Sequence, residues 1–137
     1  MGIENPSFSI FNFQFSIIMS RKLLNEELNR LSTEEYKEAE KLPLVVVLDN
    51  VRSLNNIGSV FRTSDAFRLS KIYLCGITAT PPHREIHKTA LGAEESVDWE
   101  YFEETIDAVQ KLKTEGYTIL SVEQVENSIS LENFSIQ

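Results

Sequence analysis

Leu44-Val45-Val46-Val47-Leu48-Asp49-Asn50-Val51-Arg52-Ser53-Leu54-Asn55-Asn56-Ile57-Gly58-Ser59-Val60-Phe61-Arg62-Thr63-Ser64-Asp65-Ala66-Phe67 is the stretch that decides how this chain folds. Its first five residues form an unbroken apolar run rich in β-branched side chains. That pattern marks a strand buried on both faces. Over 56–68 the apolar residues Ile57, Val60, Phe61 and Phe67 change to helical spacing, which places Phe61 and Phe67 in a core rather than on a surface. A buried strand feeding a helix opens a strand–helix–strand unit of a parallel α/β sheet.

The alternation continues downstream. Residues 71–76 read as a second strand and 78–82 as a loop stiffened by Pro81-Pro82. Residues 84–91 read as a short helix that Gly92 stops, and 97–102 as a third strand. Thr105 caps a helix carrying Ile106, Val109 and Leu112, and Gly116 ends it. Residues 117–122 read as a fourth strand, and no apolar helix follows to cover it. The fold class is therefore a mostly parallel, open α/β sheet.

Upstream, Leu23, Leu24, Leu28 and Leu31 give residues 20–41 a helical stripe, and Ser32 with Glu35 forms a capping box. Residues 1–18 differ. They hold Phe8, Phe11, Phe13 and Phe15, half of the eight Phe, and alternate in a strand pattern. They lack the basic start of a signal peptide. Met19-Ser20-Arg21-Lys22 looks like an ordinary start, so residues 1–18 are expected to be an added or spurious extension. Residues 19–42 are then an N-terminal helical segment.

At 137 residues and a net charge of −8, the chain is one acidic domain, and acidity argues against a polyanionic partner. The distribution argues otherwise. Residues 50–93 carry six bases against two acids, whereas 94–137 carry eleven acids against two bases. The basic strip suits an anion. A single cysteine, Cys75, excludes an internal disulfide and reads as an inert core thiol of a cytoplasmic protein. His83 and His87 have the spacing of a zinc pair. Arg84 stands where a metalloprotease needs Glu, so no metal is expected, and no apolar run is long enough to span a bilayer, so no membrane partner is expected.

The opening stretch places its polar residues at the carboxyl end of a buried strand, where open α/β sheets hold their ligands. Asn55 or Asn56 suits a helix cap, and Gly58 admits close approach of a backbone or a ligand. Arg62 brings a permanently charged planar fork, which either pairs with Asp65 or is left to hold an anion.

Asn56-x-Gly58-x-x-x-Arg62 after Leu48-Asp49-Asn50-Val51 closely resembles the first motif of the SpoU/TrmH family, RNA ribose 2′-O-methyltransferases of the SPOUT superfamily. Arg84-Glu85-Ile86-His87-Lys88-Thr89-Ala90-Leu91-Gly92-Ala93 resembles the family's next segment. The resemblance implies a trefoil-knotted α/β fold, S-adenosylmethionine as methyl donor, and a homodimer acting on tRNA or rRNA. By carry-over it implies catalytic roles for Arg62 and Asn56, with Asn56 ordering the motif loop alongside Asn55 and Gly58. It also implies RNA contacts from Arg52, Arg84, His87 and Lys88. The family's later Gly-Asn-Glu turn and Pro-containing, Ser-Leu-Asn-bearing segment, which form the knot and hold the donor, do not occur after the last strand here; Ser53-Leu54-Asn55 lies inside the first motif and is not the third. Residues 43–137 thus read as an incomplete methyltransferase domain with no donor-binding residue to assign. The alternative is a non-catalytic RNA-binding or dimerisation module of the same fold.

Overall fold

A computed structural model of the protein describes residues 9–10, 13–14 and 31–135. The expected helix over 20–31 and most of the 1–18 extension lie outside the described residues. The chain divides into two units, residues 1–30 and 31–137. In the first, β1 (Ser9–Ile10) pairs antiparallel with β2 (Phe13–Gln14).

The second unit opens with α1 (Thr33–Glu38). The expected capping box is present: the Glu35 backbone N–H donates to Ser32 Oγ, and the Ser32 N–H donates to Glu35 Oε2. This short helix is held by one buried side chain, Tyr36. The Tyr36 ring enters the core, its hydroxyl donates to the Ser64 carbonyl, and the Lys41 ammonium lies 3.3 Å from the ring centroid.

Three parallel strands follow in the order β3 (Leu42–Asp49), β4 (Leu69–Cys75), β5 (Trp99–Phe102). Helix α2 (Leu54–Ala66) joins β3 to β4. Helices α3 (Arg84–Ala90) and α4 (Ala93–Ser96) join β4 to β5, and α5 (Thr105–Thr114) follows β5. The two-residue period of a strand divides the core in two. Val46, Leu48, Ile72, Leu74 and Trp99 face Ile57, Phe61, Ile86 and Ala90. Val45, Val47, Tyr73, Cys75 and Phe102 face Ala108 and Leu112 of α5. The continuous apolar runs of β3 and β4 follow from helices lying on both faces.

Four expectations need correction. Residues 117–122 form no strand: Tyr117 and Ile119 touch the α5 side of the core, but no ladder bonds join them to β3. A β-rich pattern needs a partner edge to become a strand, and here only side chains meet. Thr105 does not cap α5; Glu104 stands at that position, and Thr105 Oγ1 donates to Asp49 instead. Helix α3 stops one residue before Gly92, where Leu91 turns left-handed, and Gly92 leads into α4. Phe67 is not in the core but 67% exposed. Helix α2 ends at Ala66, and the left-handed turn at Arg68 carries Phe67 off the helix's buried face.

Helices α2 and α3 meet at Gly58. A methyl group there would overlap Thr89 Oγ1 and the Ile86 carbonyl and would stand 3.0 Å from the Ala90 nitrogen. Gly58→Ala is expected to destabilise the domain by about 1–3 kcal/mol. Adding Thr89→Ala should restore only part of that, because the Ile86 carbonyl cannot be trimmed. Denaturant unfolding of the three proteins checks this, and an unchanged midpoint in Gly58→Ala refutes it.

The Tyr36 hydroxyl is pushed up to about 12 by burial, with the Asp65 charge adding to the effect. The fold therefore favours the neutral phenol. Its contribution is full below pH ~10, where the unfolded phenol titrates, and is lost as pH rises to ~12, roughly 2–3 kcal/mol in all. Stability should fall across that window more steeply in the wild type than in Tyr36→Phe; parallel curves would refute the assignment.

Candidate active site

All three strands end at one edge, and a set of hydrogen bonds locks that edge. The Asn50 N–H donates to the Cys75 carbonyl (3.2 Å) and the Gly76 N–H to the Phe102 carbonyl (3.0 Å). Asn50 is left-handed, with φ 52°, a conformation Asn tolerates better than most residues. Its side chain accepts from the Ile77 N–H (3.1 Å) and donates to Asp49 Oδ1 (2.8 Å). Asp49 Oδ1 also accepts from Thr105 Oγ1 at 2.5 Å. Buried Thr78 accepts from the Val51 N–H (2.9 Å) and donates to the Leu48 carbonyl (3.1 Å). The loop entering α2 is thereby fastened to the turn leaving β4.

Helix α2 starts from that fixed loop. Its cap is Ser53, whose Oγ accepts from the Asn56 N–H (3.2 Å), so neither Asn55 nor Asn56 is the cap. The loop is ordered by Asn50, Ser53 and Thr78. The Asn56 side chain is exposed and makes no hydrogen bond among the described residues. The Asn55 carbonyl accepts from Ser59 Oγ (2.8 Å) and from Thr89 Oγ1 (2.9 Å) of α3. Gly58 serves that same helix–helix contact, so its bareness answers a backbone rather than a ligand.

Arg62 is half-buried. Among the described residues it has no carboxylate within ion-pair distance, and Asp65 does not hold it. Arg52 and Arg84 are exposed and likewise unpaired among the described residues. His87 and Lys88 are engaged. His87 Nδ1 meets Glu94 Oε1, and Lys88 Nζ bonds Glu85 at 2.7 Å. Two of the four expected RNA contacts thus already have carboxylate partners. His83 Nδ1 accepts from the Glu85 N–H, and among the described residues no three His, Cys, Asp or Glu groups converge on a metal site. No described helix is long and apolar enough to cross a membrane.

Sequence reasoning missed Asp49, Asn50, Thr78 and Thr105. Only Asn50 carried a readable signal, an Asn directly after a strand. The Thr78 and Thr105 bonds span about 30 and 56 residues, and no local pattern announces them.

The SpoU rRNA methylase family's sequence profile matches residues 43–137, which span the whole parallel sheet except its first residue and α2 to α5. The chain belongs to that family. It is a methyltransferase by family, on an α/β fold of the expected type. No curated relative matches it. The family's donor, S-adenosylmethionine, needs a pocket for a nucleoside joined to an amino acid. The described residues do not fit it. Residues 120–135 are exposed, Val122 almost fully, and neither of the two main clefts is lined by any residue beyond Tyr101.

Cys75 stands at this edge without being a nucleophile. Burial pushes its thiol up, against a smaller opposing effect of the neighbouring Thr105 hydroxyl. A protonated, buried thiol reacts only when the fold opens. Alkylation of Cys75 in the native SpoU protein should run at least about a hundredfold slower than in denaturant; comparable rates would refute its burial.

Proposed function

We propose that this chain serves the transfer of a methyl group from S-adenosylmethionine to a ribose 2′-hydroxyl of tRNA or rRNA, as a cytoplasmic homodimer. The observation that carries the reading is Arg62: a half-buried guanidinium at the family motif, with no carboxylate partner among the described residues. Even a half-buried charge without a counter-charge is costly, so such a group suits a place where a ligand supplies the anion. RNA supplies it as phosphate and as a developing alkoxide.

The chemistry assigned to this chain is on the acceptor side. In methyl transfer the ribose oxygen forms its bond to the methyl carbon as the donor's carbon–sulfur bond breaks, and the hydroxyl proton passes to solvent. A guanidinium stays protonated, so Arg62 is not the base. It stabilises the charge that develops on the oxygen and clamps the adjacent phosphate. Asn56, exposed one turn and a half earlier on α2, offers an amide to the same ribose. Arg52 and Arg84 hold flanking phosphates. His87 and Lys88 join them only by giving up Glu94 and Glu85.

A second reading has an observation in its favour. Neither of the two clefts described is lined by a residue beyond Tyr101, which suits a non-catalytic RNA-binding or dimerisation module. Calorimetry with S-adenosylmethionine, with and without RNA, separates the two: heat of binding supports the enzyme, and its absence in both supports the module.

Arg62→Ala is expected to cut methyl transfer by about 10²–10³-fold, with RNA affinity falling far less. Arg62→Lys should recover little, since a point charge lacks the fork. Radiolabelled methyl transfer and filter binding, run on the same proteins, measure both. Unchanged turnover in Arg62→Ala would overturn the assignment.

A further inference from the structure

Two clefts share one side chain, Trp99; the smaller adjoins the Gly76–Thr78 turn of the carboxyl edge, and Arg62 lines neither. The larger, about 480 Å³, is lined by Pro81, Pro82, His83, Arg84, Glu95 and Trp99, with the His87–Glu94 pair beside them. The smaller, about 360 Å³, is lined by Gly76, Thr78, Thr80, Trp99 and Tyr101. Trp99 and Tyr101 project from the same face of edge strand β5. Trp99 is only half-buried against the core, and Tyr101 is 46% exposed, with its hydroxyl donating to the Gly76 carbonyl (2.8 Å). An indole shared by two hollows, the larger also lined by Pro81 and Pro82, is a flat apolar surface.

The charges around that surface are ordered. Glu94 is fixed by His87 and by the Gly92 N–H, and Glu95 is exposed beside it, so carboxylates stand inside the larger cleft. They repel a phosphate there. Arg84, at the rim on α3, has no carboxylate partner among the described residues. A ligand matching this arrangement carries a neutral planar ring for the interior and an anion for the rim, which is the construction of a nucleotide in single-stranded RNA.

We propose that the Trp99 cleft takes an unpaired base of the RNA, stacked on the indole, with Arg84 on the neighbouring phosphate. Unstacked bases on aromatic side chains are the common mode of single-strand recognition. The carboxylates favour bases that present an amine, adenine, cytosine or guanine, over uracil. The proposal rests on the RNA reading above and adds a second contact point away from Arg62, so that a substrate is held at two places.

Trp99 is the single tryptophan, so its emission reports on this cleft alone. The full chain is titrated with end-labelled unstructured RNA, following label anisotropy for binding and Trp99 emission for stacking. Binding with quenching by oligoadenylate or oligocytidylate, weaker quenching by oligouridylate, and none by an abasic strand of equal charge is the expected result. Trp99→Leu should weaken binding about tenfold, the loss of one stacked base, and Trp99→Phe should recover part of it. Binding without quenching, or equal quenching by the abasic strand, overturns the cleft and leaves the RNA reading standing. No binding at all overturns both.

Discussion

The contact on which the rest of this domain depends is the bare backbone of Gly58 against α3. It lets the Ile86 carbonyl and Thr89 approach α2 more closely than any side chain would allow. Thr89 then donates to the Asn55 carbonyl, and Ile57, Phe61, Ile86 and Ala90 close into one fully buried layer over the sheet. The two family segments, which are about thirty residues apart in the chain, become one packed unit. Their charged side chains are set by a helix pair that has no freedom to slide. Rigid supports of this kind hold a reactive geometry better than loops do.

The carboxyl edge complements that support. Asn50, Thr78 and the Asp49–Thr105 bond tie the ends of β3, β4 and α5 together through side chains rather than through sheet ladder. These bonds satisfy backbone groups that the strands leave open where they end, the N–H of Val51 and Ile77 and the carbonyl of Leu48. Helix α2 begins where that network ends. The position of Arg62 is therefore fixed from below by the edge and from the side by α3.

Patterns with a local cause were legible in the sequence. The β3 run, the α2 spacing, the Ser32 capping box and the Gly116 stop each depend on neighbours within a few residues, and each was readable. What failed depended on distant partners. Residues 117–122 have a strand's composition but no paired edge. Phe67 has the right spacing but falls one residue past the helix end. Thr105 looks like a cap until Asp49 claims its hydroxyl. The same division runs through the site. The close approach at Gly58 was readable from a bare residue at helical spacing, while the residues that fix the loop, Thr78 above all, act over separations that carry no periodic signal. Asn55 or Asn56 suited the helix cap by residue type, but Ser53 takes that position.

Charge shows why composition misleads here. The acidic total of −8 comes largely from the last third of the chain, and part of that acid is spent on nearby cations. Glu100 reaches Lys71 and Lys111, Glu85 holds Lys88, and Glu94 holds His87. Within residues 50–93 both lysines are thus paired, whereas Arg52, Arg62, Arg68 and Arg84 have no carboxylate partner among the described residues. The basic strip is therefore an arginine strip in effect. A lysine ammonium neutralised by a neighbour contributes little to a distant polyanion, because the pair's field falls off quickly. A free guanidinium keeps its charge at every pH the protein meets and matches phosphate with two parallel bonds. Arginine is also the more weakly hydrated cation, so the half-buried position of Arg62 costs less than it would for lysine. The local choice of cation, rather than the net charge, decides where an acidic protein can hold a polyanion.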